Sequence, residues 1–329
     1  MEFYQNPEFK GTDYDGSTKP KFSDLPIEIV FKILDELDPI NRIFVRYVSK
    51  PLRAIVDNLE YPVAEIEVHE TAKGLEIIFD NTQKVTFSPT KNGCEAISET
   101  QRRVVQGGNY LELALNLLES ILSNPRLRLY TLVFAHHHDA KVFNYCINTL
   151  ASNKKIPKIN TKELAIFAFK PVILEPILSL VSHEELMVLR LEAADEPTIE
   201  EVMTTELFKT VPGFDIYKSA ALGSKMIVWF ASFSYFAVKF HRFTTNDILD
   251  LRDDLSYIFT SCEYGNIYVE ESFDLDDIAA IVDEEIQENK FIIYRHQIPR
   301  SEFRLEFKFE RNVLRFVRSK NSLPLYIFE

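Results

Sequence analysis

A chain of 329 residues, 46% hydrophobic and 26% charged, is long enough for two domains or one large one, which excludes a small stapled scaffold or a chain too polar to fold. The net charge of -13, from 37 Lys and Arg against 50 Asp and Glu, argues against a chain-wide grip on nucleic acid, because phosphate contacts need clustered cations. Nine glycines make phosphate-cradling Gly-rich loops a poor expectation.

Residues 1–22 mix acids, aromatics, Gly and Pro without an apolar stretch and read as a flexible polar tail rather than a signal peptide. Ser23 and Asp24 then offer a helix cap before Leu25-Pro26, and Ile29, Ile33 and Leu37 recur at i, i+4 and i+8 with Val30 and Leu34 beside them, an amphipathic helix. Asp38-Pro39 ends it, a second helix is predicted over Ile40 to Tyr47, and Ser49-Lys50-Pro51 caps a third that runs through Asp57. From Val63 to Phe87 short β-type runs (AEIEV, LEIIF, KVTF) separated by Gly74 and Asn81 predict two or three strands. Helical spacing returns over Leu111 to Leu122 and stops at Asn124-Pro125, so 61–125 reads as a connecting region.

Beyond it the pattern apolar-x-x-apolar-x-apolar starts at Leu129, Leu164, Leu186, Val211, Tyr235 and Tyr264, with a weaker seventh start at Glu288. Helix-like stretches lie between: Asp139 to Ala151, Pro171 to Val181, Thr198 to Phe208, Thr244 to Phe259 and Leu275 to Ile286. Strand-helix units of this length predict an irregular leucine-rich-repeat-like solenoid over 126–329, with a non-repetitive α/β or α+β domain as the alternative. Phe303, Leu305, Phe307 and Phe309 alternate with charged residues, and Arg311-Asn312 leads into Val313 to Val317, which predicts a closing β-hairpin. The nearly apolar run Met226 to Val238 is too short to cross a membrane and is expected to be buried core. Three cysteines without CxxC spacing and the lack of an Asn-x-Ser/Thr acceptor point to the cytosol or nucleus.

The segment Leu25 to Asp57 resembles an F-box. The resemblance rests on Leu25-Pro26, Glu28, Ile29, Ile33-Leu34, Leu37, Asp38-Pro39, Arg46, Val48, Ser49, Leu52 and Arg53. Asn41-Arg42 stands where many members carry Asp-Leu, and Pro51-Leu52 where many carry a basic residue and Trp. The remainder, through LRLYTLVF (127–134), LMVLRLEA (186–193) and FAVKFHRFTTNDILDLRDDLSYIFTS (236–261), is similar to the large nematode F-box family with a C-terminal FTH domain. The domains so expected are a tail (1–22), an F-box (23–60), connecting strands and a helix (61–125) and the FTH repeat region (126–329). The resemblance implies a non-catalytic substrate-recognition subunit of an SCF ubiquitin ligase. Leu25, Pro26, Ile29, Ile33, Leu34, Leu37, Pro39, Val48 and Leu52 would meet a Skp-type adaptor, which bridges to a cullin, and the C-terminal region would hold an unknown protein substrate. No cofactor, nucleic acid or membrane is implied. A repeat-type interaction scaffold outside any ligase is the alternative.

The residues themselves lean the same way. Three short helices have too little interior to bury all of Ile29, Val30, Phe31, Ile33, Leu34, Leu37, Ile40, Ile43, Phe44, Val45, Val48 and Leu52, so some apolar surface meets a partner or the following strands. No GxSxG, GxxxxGK, HExxH or GxGxxG occurs, and catalysis is not expected. His136-His137-His138 reads as a solvated strand-to-helix turn before it reads as a metal site, and Asp274-x-Asp276-Asp277 as acids at a helix start. Cys146 and Cys262 are expected to be inert core thiols, and Trp229, Phe230, Phe233, Tyr235 and Phe236 core packing. The acidity is local: Phe243 to Glu288 holds fourteen acids and one base, a difference of thirteen that equals the whole net charge. Asp253, Asp254, Asp276 and Asp277 are thus candidate substrate-facing acids, against the plainer reading of a solvated helix face.

Overall fold

The computed structural model describes residues 25–59, 63–99, 101–168, 174–192, 194–288 and 290–321. The expected tail and the Ser23-Asp24 cap lie outside them. The chain divides into two compact units, Met1–Leu59 and Glu60–Glu329.

The first unit has three helices, α1 (Ile27–Asp35), α2 (Pro39–Val48) and α3 (Lys50–Val56). Asp38 does more than stop α1: its carboxylate accepts the Asn41 backbone N–H and makes it the N-cap of α2, with Pro39 in the first turn where no N–H is needed. Ser49 caps α3 in the same way. Val30, Leu34, Val56 and Leu59 form the core, with Phe31, Leu37, Val45, Leu52 and Ile55 partly buried against it. The departure at Arg42 has a local use. Buried at the start of α2, its guanidinium donates to the carbonyl of Asp35, the last residue of α1, and to that of Leu37 just beyond it.

The second unit is built on one mixed sheet of fourteen strands. Its elements in chain order are β1 (Glu65–Thr71), β2 (Gly74–Phe79), β3 (Gln83–Thr90), β4 (Gly93–Ser98), β5 (Arg102–Gln106), α4 (Tyr110–Leu122), β6 (Arg128–His136), α5 (Ala140–Ser152), β7 (Asn160–Ala168), α6 (Leu174–Leu180), β8 (Val188–Glu192), α7 (Glu196–Met203), α8 (Glu206–Thr210), β9 (Gly213–Asp215), α9 (Ile227–Phe230), β10 (Tyr235–Phe240), α10 (Thr245–Tyr257), β11 (Tyr264–Val269), α11 (Leu275–Val282), β12 (Ile292–Gln297), β13 (Phe303–Glu310) and β14 (Val313–Lys320). The spatial order is β12-β13-β14-β11-β10-β9-β8-β7-β6-β1-β2-β3-β4-β5. The fold is therefore α+β around a large mixed sheet.

Strands β6 to β11 are parallel and lie side by side in chain order, and β1 joins β6 in parallel. Because the chain advances in one direction through right-handed crossovers, the intervening helices fall on one face. That face carries Leu132, Leu164, Leu189, Phe214 and Phe236 in one row and Phe134, Ile166, Leu191, Val238 and Ile267 in the next, all buried. Phe208 of α8 packs edge-on to Phe214 and Phe230 of α9 stacks on it, which places those helices over this face.

Several expectations change. The region 61–125 is more than a connection: β2 to β5 form an antiparallel meander that extends the sheet beyond β1, and β4 and β5 had no clear sequence signal. The stretch Thr198 to Phe208 is two helices, because the Thr205 hydroxyl accepts the Phe208 N–H and starts a new one. The last predicted helix stops at Val282, since Asp283 takes a left-handed conformation, φ 57°. Of the helix expected over Pro171 to Val181, residues 171–173 lie outside the described residues. The seventh triplet is not another parallel strand. β14 pairs antiparallel with β11 and closes that end of the parallel run, so β12 is left to pair antiparallel with β13 at the edge. The predicted hairpin is β13 and β14.

Candidate functional site

Helix α1 has two apolar faces. Val30 and Leu34, four residues apart, point into the unit, whereas Leu25, Ile29 and Ile33, also at four-residue spacing, are exposed; Ile29 is 41% and Ile33 39% accessible. Helix α2 repeats the arrangement. Phe44 and Val48 are exposed on its outer side, Val48 72% accessible, and Ile40 one turn before them is half-buried. Solvent-exposed β-branched and aromatic residues in rows on a short helix are the mark of a surface waiting for a partner. Arg46 and Asp57 join α2 to the end of α3 through a 2.6 Å ion pair, which keeps α2 and α3 in register.

The helix-free face of the second unit is of a different kind. Pairing aligns Thr131, Glu163, Val188, Gly213, Tyr235 and Tyr264 in one row and Val133, Ala165, Arg190, Asp215, Ala237 and Asn266 in the next. Arg190 bridges two neighbouring strands: its guanidinium lies 2.9 Å from Glu163 and 3.2 Å from Asp215. Lys218 pairs with Glu192 at 2.9 Å. Tyr235 stacks on Tyr264 with ring centres 5.4 Å apart, and Tyr217 on Tyr268 at 4.7 Å. Burial pushes the Glu163 and Asp215 carboxyls above their ordinary range against the pull of Arg190, with Glu192 adding like-charge repulsion to both. Burial, then the charges of Glu67, Asp80 and Glu163, raises Glu65 as well.

The comparisons bear on both units of the chain. Residues 22–63 match the F-box domain family, and 140–285 match the FTH domain family. A curated Caenorhabditis elegans protein, F-box A protein 224, is 24% identical over 271 residues, covering 78% of this chain and 69% of that protein. The chain is an F-box protein with an FTH domain. No solved structure matches it.

Within the F-box the nine residues expected to meet an adaptor divide by position. Leu25, Pro26, Ile29, Ile33 and Val48 are on the surface. Leu34, 1% accessible, and Pro39 are buried, so they support the surface from beneath, and Leu37 and Leu52 are partly buried against the same core. Phe44 is the surface residue the sequence pattern did not single out, because it lies within an almost continuous apolar run that gives no sign of which side faces out.

The candidate acids near the end of the FTH domain are not gathered into one patch. Asp253 and Asp254 sit in the last turns of α10, whereas Asp276 and Asp277 are in the first turn of α11, where their N–H groups are accepted by Asp274. The two pairs therefore sit at opposite ends of their respective helices. Asp253 is spent on Arg252 at 2.6 Å.

The histidine triplet is not a solvated turn throughout. His136 is buried and its Nδ1 is 2.9 Å from Glu70 Oε2, the same oxygen that accepts the backbone N–H groups of His137 and His138. Glu70, distant in sequence, thus fastens β1 to the turn that follows β6. Among the described residues no group of three or more His, Cys, Asp and Glu is placed to hold a metal ion. Cys94, Cys146 and Cys262 are buried free thiols, and burial pushes Cys146 and Cys262 up to about 12. Phe230, Phe233 and Phe236 are core, but Trp229 is 52% accessible, contrary to the expectation that the aromatic run is core throughout. Among the described residues no helix is long and apolar enough to cross a membrane.

Proposed function

We propose that this protein is a substrate-recognition subunit of an SCF ubiquitin ligase, in which the F-box binds a Skp-type adaptor that links it to a cullin, and the FTH domain binds a protein substrate. The observation that carries the reading is the set of exposed apolar residues, Leu25, Ile29 and Ile33 on one side and Phe44 and Val48 on α2, on a unit whose core is satisfied by other residues of the same helices. A unit with its own core and an additional apolar surface suits docking better than a role as the first layer of a larger core. In the second unit, parallel strands stacked in chain order with helices on one face support an irregular leucine-rich-repeat-like solenoid, a form whose helix-free face serves as a binding surface. The chain then needs no chemistry of its own: ubiquitin transfer gains from holding substrate beside the charged conjugating enzyme, which raises the effective concentration.

Co-purification of the full chain with a purified Skp-type adaptor tests the reading. Stoichiometric capture that is lost in Phe44→Ala plus Val48→Ala, with the thermal transition preserved, is expected. No capture by the wild-type chain, or capture indifferent to this pair, refutes it.

A further inference from the structure

β1 and the turn after β6 meet on both faces of the sheet. On the helix side, Glu70 Oε2 takes the His136 ring and the backbone N–H groups of His137 and His138. Side chains alternate along a strand, so His69 faces the other way, aligned with Ala135 on β6 and with Glu76 on β2. His137, two residues past Ala135, returns to that side. Its backbone N–H donates to the Glu70 carbonyl, which keeps it beside β1, and its ring Nε2 lies 3.4 Å from His69 Nδ1. Two zinc-bound nitrogens at about 2.0–2.1 Å are separated by ~3.3–3.4 Å across a tetrahedral angle, and by only about 2.9 Å at neighbouring corners of a square or octahedron. A second observation concerns the far side of the His69 ring, where Nε2 is 2.6 Å from Glu67 Oε2. A carboxylate accepts and does not donate, so the ring carries its proton on Nε2 and turns the Nδ1 lone pair toward His137. A carboxylate behind a ligating histidine fixes its tautomer and raises its basicity in just this way at metal sites. Glu67, Glu70 and Glu76 surround the pair with negative charge, of which Lys84 offsets part through its 3.5 Å contact with Glu76.

We propose that His69 Nδ1 and His137 Nε2 together bind one Zn²⁺ ion, with water completing a tetrahedral shell. Without the ion the His137 Nε2–H donates to His69 Nδ1; the ion takes that place when His137 carries its proton on Nδ1 instead. The histidine triplet thus supplies one ligand, since His136 is buried against Glu70, and the other comes from 68 positions earlier in the chain. Among the described residues no third His, Cys, Asp or Glu is placed to join the pair, and His137 is exposed, so the remaining positions face solvent. The site is a two-histidine chelate, weaker than a closed structural zinc site with four protein ligands. Mg²⁺, which prefers oxygen ligands and octahedral geometry, is not a match. The bound ion ties β1, where the antiparallel meander begins, to the end of β6 at a second point beside Glu70, and so stabilises the join between the meander and the parallel run.

The test uses the full chain without a histidine tag, titrated calorimetrically with Zn²⁺ alone and with Mg²⁺ alone, and followed by thermal unfolding. One Zn²⁺ binds per chain and Mg²⁺ does not. Free Zn²⁺ at ten times its Kd raises the thermal transition by about 3–6 °C. His137→Ala and His69→Ala each weaken binding at least about tenfold and abolish the thermal shift at that concentration. Glu67→Gln weakens it by about tenfold, because the carboxylate that orients His69 is gone. His138→Ala, at the neighbouring position, changes it by less than about twofold. His69 is half-buried, so His69→Asn replaces the alanine variant if that chain loses its thermal transition. Absence of Zn²⁺ binding, equal binding of Mg²⁺, unchanged affinity in either the His69 or the His137 variant, or loss of binding in His138→Ala overturns the proposal.

Discussion

Ile33 and Leu34 are neighbours on α1, yet their replacement by alanine should have opposite consequences. Leu34 is in the centre of the cluster with Val30, Val56 and Leu59, and truncating a buried leucine costs about 2–5 kcal/mol from lost transfer energy and the cavity left behind. A core of this size supplies only roughly 3–5 kcal/mol in all, so Leu34→Ala should leave the F-box largely unfolded without a partner. Ile29 and Ile33 are 41% and 39% exposed, so together they hold about four-fifths of one isoleucine's surface for a partner to cover. At ~1.5–3 kcal/mol for complete burial of such a side chain, Ile29→Ala plus Ile33→Ala should weaken adaptor binding by about 1–2 kcal/mol, or ~5–30-fold. The same pair should change the stability of the free protein by less than about 0.5 kcal/mol for each site. Calorimetric titration with a purified Skp-type adaptor, together with hydrogen exchange across residues 25–59, separates the two effects. Unchanged affinity in the Ile29/Ile33 variant, or full exchange protection in Leu34→Ala, would refute the division of α1 into an inner and an outer face.

Three further outcomes follow from the second unit. A Cβ at Gly265 would meet the ring of Phe316, which is buried against Phe236 and Phe307 and has nowhere to turn; Gly265→Ala should cost about 1–3 kcal/mol in urea unfolding. Burial alone would raise Glu70, but the backbone N–H groups of His138 and Asp139, then the His136 ring and the His137 N–H, outweigh it and hold the carboxyl below its ordinary range. A depressed folded-state value means that this stabilisation is present above the unfolded value of 4.5 and is lost as pH falls through the folded one, so Glu70→Gln should destabilise by about 1–3 kcal/mol at neutral pH and flatten the acid limb of stability against pH. Cys146 and Cys262, buried and pushed up to about 12, should resist maleimide at neutral pH in the folded chain and react only in denaturant, as followed by mass spectrometry.

What could be read from the residues alone was whatever depends on a few neighbours along the chain. The stop at Asp38-Pro39, the cap at Ser49, the alternation of Phe303 to Phe309 and the spacing of six triplets each reflect contacts within one turn or one strand, and each led to a real element. The F-box was legible for the same reason, since its signature is continuous and short. Which apolar residue faces out was not: Ile33 and Leu34 have nearly equal hydrophobicity, and only the packing of α3 against α1 sends one inward. The make-up of the helix-free face was also hidden, because Glu67, Glu163, Arg190, Asp215 and Tyr235 come from five strands spread over some 170 residues and come to share a face only through strand register. The acidic run from Phe243 to Glu288 drew attention by its density in sequence, yet the helical path separates its members. Sequence determined the local elements and the family; tertiary pairing decided which charges share a surface, since side chains far apart along the chain acquire a common environment only once the strands between them are aligned.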